Sequence, residues 1–592
     1  MLTSGSSAPG RPSSAPVTDE GAAVATAVQQ SALDLQRRQA WTDARFGVMV
    51  HWGISAIPAG VWKGRRVEGL TEWIQYRARI PLAEYRKLAE DFNPTNFDAR
   101  EWVRMAAEAG AKYFVYTAKH HDGFAIYHSQ VSDYNIVDAT PFDRDPLAEL
   151  AEACAEHGIM LGVYYSQMID WEDPDAVGPQ HNDVDFDPAT GDFHSYWRRK
   201  AAPQLREILT RYGDIGLMWF DMPSGIPEDC AQEAFDLVRE LQPGAVINSR
   251  LGGGVAPDYT SMDDNYFNNL LPERDWETAA TTNDSWAFAE RGAGWKPVEG
   301  LCEALAYTVS RGGNLLLNVG PDATGAIPAQ AREQYAGIGE WMQRAAPGIR
   351  GAGRPPFPGG FAWGYATARG TSLYLHVADR RATTLDLPGL TAGPEAVRDL
   401  ATGSPVPFTT SEPEGLGRVV SLELAAPTDE LPRTIELQFA AAPETTGGLI
   451  QTPGADLRLD IWAAESGEDG SRRWEFTMAT PGDYRVVLLT KETFSNSDPQ
   501  WWADGLTGTL VTDQARQSFT LRRDGEEPYP IVHYWKIIRS EIGQLHVAAS
   551  GTQELVLEDL PVVDSKWDRS GANVVALRLE RTDGERDDES AE

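Results

Sequence analysis

The sequence predicts an α/β chain: a (β/α)8-like TIM barrel followed by two C-terminal β-sandwich domains. Three observations lead there. From Trp41 to about residue 350, short apolar runs alternate with amphipathic segments, the pattern of a parallel sheet with helical crossovers. Polar residues collect directly after two of the apolar runs. These are Lys119-His120-His121-Asp122-Gly123-Phe124 after Tyr113 to Ala118, and Asp221 after Ile215 to Phe220, and barrels gather functional side chains at the carboxyl ends of their strands. Past a Pro/Gly-rich stretch from Pro347 to Gly360 the segments have strand character without long helices.

Strands are expected at Phe46 to His51, Tyr113 to Ala118, Met160 to Tyr165, Ile215 to Phe220, Ala245 to Asn248 and Asn314 to Val319. Helices are expected at about 98–109, 146–157, 197–212, 230–241, 299–311 and 328–345. Six strands are evident where a closed barrel needs eight, so closure is inferred from the alternation. Residues 1–30, rich in Ser, Pro, Ala and Gly, read as a disordered leader, and 31–350 as the barrel. Ser372 to Val377, Thr383 to Leu387 and Thr434 to Phe439 place a first sandwich at 355–442. After the break Pro443 to Gly454, the segments Trp474 to Met478, Tyr484 to Leu489, Ser518 to Leu521 and Leu545 to Ala548 place a second at 446–592.

Composition narrows the partners. At 592 residues the chain exceeds one hydrophobic core. With 87 acidic against 52 basic residues and a net charge of -35, nucleic acid and anionic membranes are poor partners and a neutral ligand suits better. No run reaches membrane-spanning length, and Met1 to Glu20 has no apolar signal core, which fits a cytoplasmic protein or a secreted one with its signal removed. Cys154, Cys230 and Cys302 lie far apart in expected helices, without metal or disulfide spacing, and read as buried thiols.

The chemistry-bearing residues point to an enzyme. Asp221 closes Leu217-Met218-Trp219-Phe220, which brings a carboxylate to the barrel mouth beside aromatic rings. Sugars stack on aromatic faces while carboxylates attack the anomeric carbon, so the pairing suits glycoside cleavage. His51, His120 and His121 also follow strands, with Glu72-Trp73 between them. Neutral imidazoles can bond several hydroxyls of a compact ligand. A metal site built on His120, His121 and Asp122 is the rival reading, without HExxH-like spacing to support it.

Arg45-Phe46-Gly47-x-x-x-His51-Trp52-Gly53, Glu72-Trp73, Lys119 to Phe124, Gly162-Val163-Tyr164-Tyr165-Ser166 with Asp170-Trp171, Trp219-Phe220-Asp221 and Asn314-Leu315-Leu316-Leu317-Asn318-Val319-Gly320-Pro321 together resemble the α-L-fucosidases of glycoside hydrolase family 29. The motifs stand in family order over residues 38–350, and the family's barrel is followed by a sandwich. The resemblance implies a retaining, exo-acting hydrolase of terminal α-L-fucose on glycans or glycoconjugates, without a cofactor. It matches Asp221 to the nucleophile, and His51, Glu72, Trp73, His120, His121, Tyr164, Trp219 and Arg250 to fucose-holding positions. Tyr165 is the adjacent alternative to Tyr164. For the acid/base the resemblance points to Glu277 in Trp276-Glu277-Thr278, followed by Trp286 in Ser285-Trp286-Ala287-Phe288, with Glu273 and Asp264 as alternatives. Ala287-Phe288 departs from the family's frequent Gly-Tyr.

A Gly-Pro-Asp leading into Trp-x-Gly-Asn-Glu, associated with the linkage-restricted α1,3/1,4 subgroup, is missing, which favours the broad-specificity subgroup. The rival from another class is an inactive fucose-binding protein. In the last domain Trp474, Trp501, Trp502 and Trp535 are candidates for glycan binding or for core.

Overall fold

The computed structural model describes residues 36 and 38–582 except 291–293, 428, 496–497, 530 and 533–534; the expected leader at 1–30 lies outside them. Eight strands run parallel: β1 (Phe46–Val50), β2 (Tyr113–Lys119), β3 (Met160–Ser166), β4 (Leu217–Asp221), β5 (Val246–Ile247), β6 (Thr260–Ser261), β7 (Trp276–Thr281) and β8 (Asn314–Val319). Each pairs with its neighbours in chain order except β5 with β6, and β8 returns to β1. A single parallel bridge between Asn248 and Tyr259 joins β5 to β6 and closes the ring.

Alternation along the strands sorts their side chains. Met49, Val115, Tyr164, Leu217, Trp219, Val246, Tyr259, Ala279 and Leu316 fill the interior as one cluster. Val48, Phe114, Val163, Met218 and Leu315 belong to the larger cluster under the helices. Those helices are α1 (Ala99–Glu108), α2 (Pro146–His157), α3 (Ala202–Arg211), α4 (Glu228–Leu241), α5 (Val298–Ser310) and α6 (Ala329–Ala345). The caps explain three of the boundaries. Asp98 accepts from the Glu101 amide at 3.0 Å to start α1. Asp145, with Pro146 behind it, starts α2, and Gly158 ends it at φ 61°, a left-handed conformation that glycine adopts without strain. The single helix expected over 197–212 is a π turn, Trp197–Ala201, leading into α3.

The two strands without a sequence counterpart are β6, only two residues long, and β7. The β7 sequence WETAAT is wholly buried yet carries Glu277, Thr278 and Thr281, so it lacks the apolar run by which a buried strand is recognised.

Beyond the barrel, a four-stranded and a three-stranded antiparallel sheet enclose a core that includes Leu373, Leu375, Leu387, Val420 and Ile435. Two larger sheets follow, packed around a core that includes Trp474, Tyr484, Leu510 and Leu577. Trp474 and Trp535 are fully buried, and Trp501 and Trp502 pack against that second core. Trp474 and Trp535 are therefore core residues. The three cysteines are buried free thiols. Among the described residues no helix is long and apolar enough to cross a membrane.

Candidate active site

The carboxyl ends of β1 to β4 converge on Asp221, the last residue of β4. Its Oδ2 accepts from the Tyr164 hydroxyl at 2.7 Å. Its Oδ1 accepts from Arg250 Nη1 at 3.1 Å and from the Met222 amide at 2.9 Å. Met222 itself adopts φ 59°, an uncommon conformation for a residue other than glycine, and the sort of backbone strain that collects at functional sites. Tyr164 is therefore the inward tyrosine. Tyr165 points outward and donates to Gln204.

Two histidines are fixed as neutral hydrogen-bond acceptors. Asn318 spends its amide hydrogens on the Trp286 carbonyl at 2.7 Å, so its Oδ1, 2.7 Å from His51 Nδ1, must accept. Ser166 donates to the Ile169 carbonyl at 2.9 Å and so accepts from His121 Nδ1 at 2.7 Å. In each ring Nδ1 then carries the hydrogen and Nε2 keeps a lone pair, an assignment that follows from the network. Burial holds both imidazoles at a pKa of about 4. His121 Nε2 faces Asp221 Oδ2 at 3.6 Å, a gap between two acceptors that a hydroxyl hydrogen can fill. His120 lies between the rings of His121 (4.0 Å) and Tyr164 (5.5 Å), and burial drives its pKa well down.

Glu72 is buried, accepts from the Ala287 amide at 3.1 Å and is raised by burial to a pKa of about 7. It lines a small cavity with His51, His120 and Asp122. Trp286 sits 5.0 Å from the His51 ring, and Trp73 4.9 Å from His121. Trp219 stacks 5.5 Å from Tyr164 and lies under the Arg250 guanidinium at 4.7 Å. Asp122 turns to the Tyr85 hydroxyl and the Phe124 amide. Lys119 is consumed by Asp170 at 2.8 Å in a buried pair. Among the described residues, the group spaced to hold a metal is instead His194, Asp229 and Cys230, outside this cluster.

Glu277 is not at the mouth. It is the second residue of β7, whereas Asp221 ends its strand and His51, His120 and His121 follow the ends of theirs. It accepts from the Tyr113 hydroxyl (2.8 Å), Trp219 Nε1 (2.9 Å) and the Tyr259 hydroxyl (3.2 Å). Its exposure is 0%, and burial raises its pKa to about 7. The Trp219 indole, two residues before Asp221 on the same face, separates the two carboxyls. Glu273, just ahead of β7, is exposed at the opposite end of that strand. Asp264 is at the site. Its Oδ1 accepts from Arg250 Nη2 at 2.5 Å, so one guanidinium bridges Asp221 and Asp264, and its charge reaches His51, His121 and Glu72. Burial alone would raise Asp264, but Arg250 and Lys566 outweigh it and hold its pKa below the usual carboxyl range.

The motifs leave out one functional residue. Gln167 Oε1 accepts from the Asp221 amide at 2.9 Å while its Nε2 donates to the Arg250 carbonyl at 2.8 Å. It positions both ends of the ion pair, and its place two residues after Tyr165 is the one sequence clue to it.

A profile described as alpha-L-fucosidase matches residues 17–346. The chain belongs to the alpha-L-fucosidase family, glycoside hydrolase family 29. Tissue alpha-L-fucosidase of Rattus norvegicus is 30% identical over 331 residues, 52% of this chain and 69% of the rat protein. The crystal structure of alpha-L-fucosidase from Vibrio sp. strain EJY3 is 34% identical, covers 92% of this chain and 97% of its own, and superposes with a TM-score of 0.87. Alpha-L-fucosidase isoenzyme 1 from Paenibacillus thiaminolyticus is 33% identical over 69% of this chain and 99% of its own, with a TM-score of 0.61. This fucosidase is a glycoside hydrolase that acts on fucosylated glycans. The similarity to the Vibrio enzyme extends through the β-rich domains as well as the barrel.

Proposed function

We propose that this fucosidase is a retaining, exo-acting enzyme with Asp221 as nucleophile and Asp264, in place of Glu277, as acid/base. The observation that carries the reading is the single guanidinium of Arg250 bonded to both carboxylates. The two terminal nitrogens of one fork each hold one of the acids, which keeps the pair together at one site, as a retaining mechanism with carboxyls about 5–5.5 Å apart requires. Asp221 attacks C1 of fucose to form an ester as the C1–O bond to the aglycone breaks, and Asp264 delivers a proton to the departing oxygen. Water then gives its proton back to Asp264 and displaces Asp221, releasing fucose with its configuration kept. Arg250 favours ionised Asp221 in the first step. Once Asp221 is esterified the same charge acts on Asp264 alone and favours its carboxylate form, the base needed for the second step.

His51 and His121 accept from fucose hydroxyls through Nε2, Glu72 bonds a further oxygen, and Trp73 and Trp286 flank the ring. The broad-specificity subgroup is the reading favoured by the missing Gly-Pro-Asp element. The first test is release of p-nitrophenol from its α-L-fucoside by the full chain. Turnover that disappears in Asp221→Ala supports the reading, and wild-type turnover in that variant overturns it. Absence of turnover by the wild type on both this substrate and fucosyl oligosaccharides would leave the inactive, fucose-binding alternative.

A further inference from the structure

The loop that carries Asp264 runs between β6 and β7, and the last domain grips it along its length. Asp564 Oδ1 and Oδ2 accept from the amides of Asn269 and Leu270 at 2.9 and 2.8 Å, and Oδ1 lies 2.7 Å from the Tyr266 hydroxyl. Lys491 bonds the Phe267 carbonyl. Tyr266 packs 5.6 Å from the Trp535 ring. Two further contacts reach Asp264 and its neighbour Asp263. Ser565 Oγ donates to Asp263 Oδ2 at 2.6 Å, and Lys566 Nζ donates to the Asp264 carbonyl. The neighbouring side chain, Trp567, is 51% exposed, more than any other large apolar side chain among the described residues. Its amide donates to Ser565 Oγ at 3.1 Å, and the Lys566 ammonium lies 4.6 Å from its ring. One ammonium thus touches both the backbone of Asp264 and the open indole.

We propose that segment 564–567 of the last domain completes the active site. Ser565 and Lys566 are positioning residues that fix the loop bearing the acid/base, and Trp567 is the platform on which the leaving sugar stacks; both roles rest on Asp264 as acid/base. An exposed indole costs solvation free energy unless something apolar covers it, and the C–H face of a pyranose fits a tryptophan ring. A carboxylic acid on a 14-residue connection between β6 and β7 needs outside contacts to be held within the fraction of an ångström that proton transfer requires. Fucose itself is held by the barrel, so the last domain acts on the aglycone side.

The test compares two substrates in the full-length enzyme. One is p-nitrophenyl α-L-fucoside, whose leaving group needs little protonation. The other is whichever fucosyl-N-acetylglucosamine disaccharide the wild type cleaves fastest. For Trp567→Ala the ratio of kcat/KM values, disaccharide over aryl fucoside, is expected to fall at least fivefold through a raised disaccharide KM, with Trp567→Phe restoring most of it. For Ser565→Ala and Lys566→Met the same ratio is expected to fall through kcat. An unchanged ratio in all three variants, or equal losses on both substrates, overturns the proposal. Should the Ser565 or Lys566 variant fail to fold, Trp567→Ala decides alone, because its half-exposed ring supports no core. Asp221→Ala and Asp264→Asn run alongside. Turnover in the first, or an intact disaccharide rate in the second, removes the parent mechanism regardless of what Trp567 does.

Discussion

Asp221 and Glu277 are two buried carboxyls in one barrel, held by the same aromatic layer from opposite sides. Trp219 contributes its face to the mouth around Asp221 and its indole N–H to Glu277 below. The mouth pairs its carboxylate with a cation and leaves acceptors unsatisfied around it: the Nε2 lone pairs of His51 and His121. The floor satisfies its carboxyl with three neutral donors and admits nothing. Burial is common to both, and access together with counter-charge separates the proposed nucleophile from a carboxyl held inside the barrel.

The sharpest break of that comparison is at Asp221. Replacing it with Ala should lower kcat by about 10⁴-fold or more, as loss of a nucleophile does in other covalent mechanisms, with the fold retained by circular dichroism. Asp264→Asn should cost about 10²–10⁴-fold on a fucosyl disaccharide, the usual worth of general acid catalysis, and far less on p-nitrophenyl fucoside. Glu277→Gln should behave differently from both. An amide hydrogen would then face groups that donate, Trp219 Nε1 having no other role, so the variant should lose about 1–3 kcal/mol of stability and slow both substrates alike. A selective loss on the disaccharide in Glu277→Gln, with none in Asp264→Asn, would reverse the assignment.

The pH response distinguishes the same two residues. A general acid works only while protonated. With Asp264 held below its ordinary range, kcat/KM on the disaccharide should fall as pH rises through the acid region. If Glu277 were the acid, a limb near 7 would be lost in Glu277→Gln, whereas a limb due to Glu72, also near 7, would survive that substitution. Stability gives an independent reading. The folded pKa of Glu277, about 7, exceeds the ordinary glutamate value of 4.5, so the native state binds the extra proton and loses stability as pH rises from 4.5 to 7, by a few kcal/mol at about 1.4 kcal/mol per unit. The Glu277→Gln variant lacks this slope, so its deficit against the wild type should narrow over that interval, as read from chemical denaturation at pH 4.5 and 7. His51 and His121, depressed to about 4, act in the opposite sense: in the wild type they withdraw stability as pH falls from 6.5 to 4.

The smallest effect belongs to Gln167. Replacing it with Leu leaves the Asp221 amide without its side-chain acceptor and frees the Arg250 backbone. The expected loss is about tenfold in kcat, the scale of about one neutral hydrogen bond, with KM nearly unchanged. A large rise in KM would place Gln167 in fucose binding instead.

Much of this molecule is legible in its amino-acid order. The expected strands from Phe46 to Val319 and the helices α1, α2, α4, α5 and α6 fall within about two residues of their expected positions, because each carries a clear period and a recognisable cap or break. Strands β6 and β7 escape for a physical reason: one is too short to show a period, and the other buries a glutamate that only tertiary donors make tolerable. The same glutamate makes the acid/base ambiguous from local pattern. A Trp-Glu pair near the end of the barrel sequence looks alike whether its strand delivers the side chain to the mouth or to the floor.

The sequence by itself determined the layered architecture, the family, and the set of side chains at the ends of β1 to β4, since these depend on local periodicity and on motifs that travel with their strands. Only the tertiary structure decided which carboxylate shares Arg250 with Asp221, and that Ser565 and Lys566, some 300 positions further along, stand beside it. Those facts depend on strand register and on domain docking, where contacts between distant segments outweigh anything a local stretch of residues encodes.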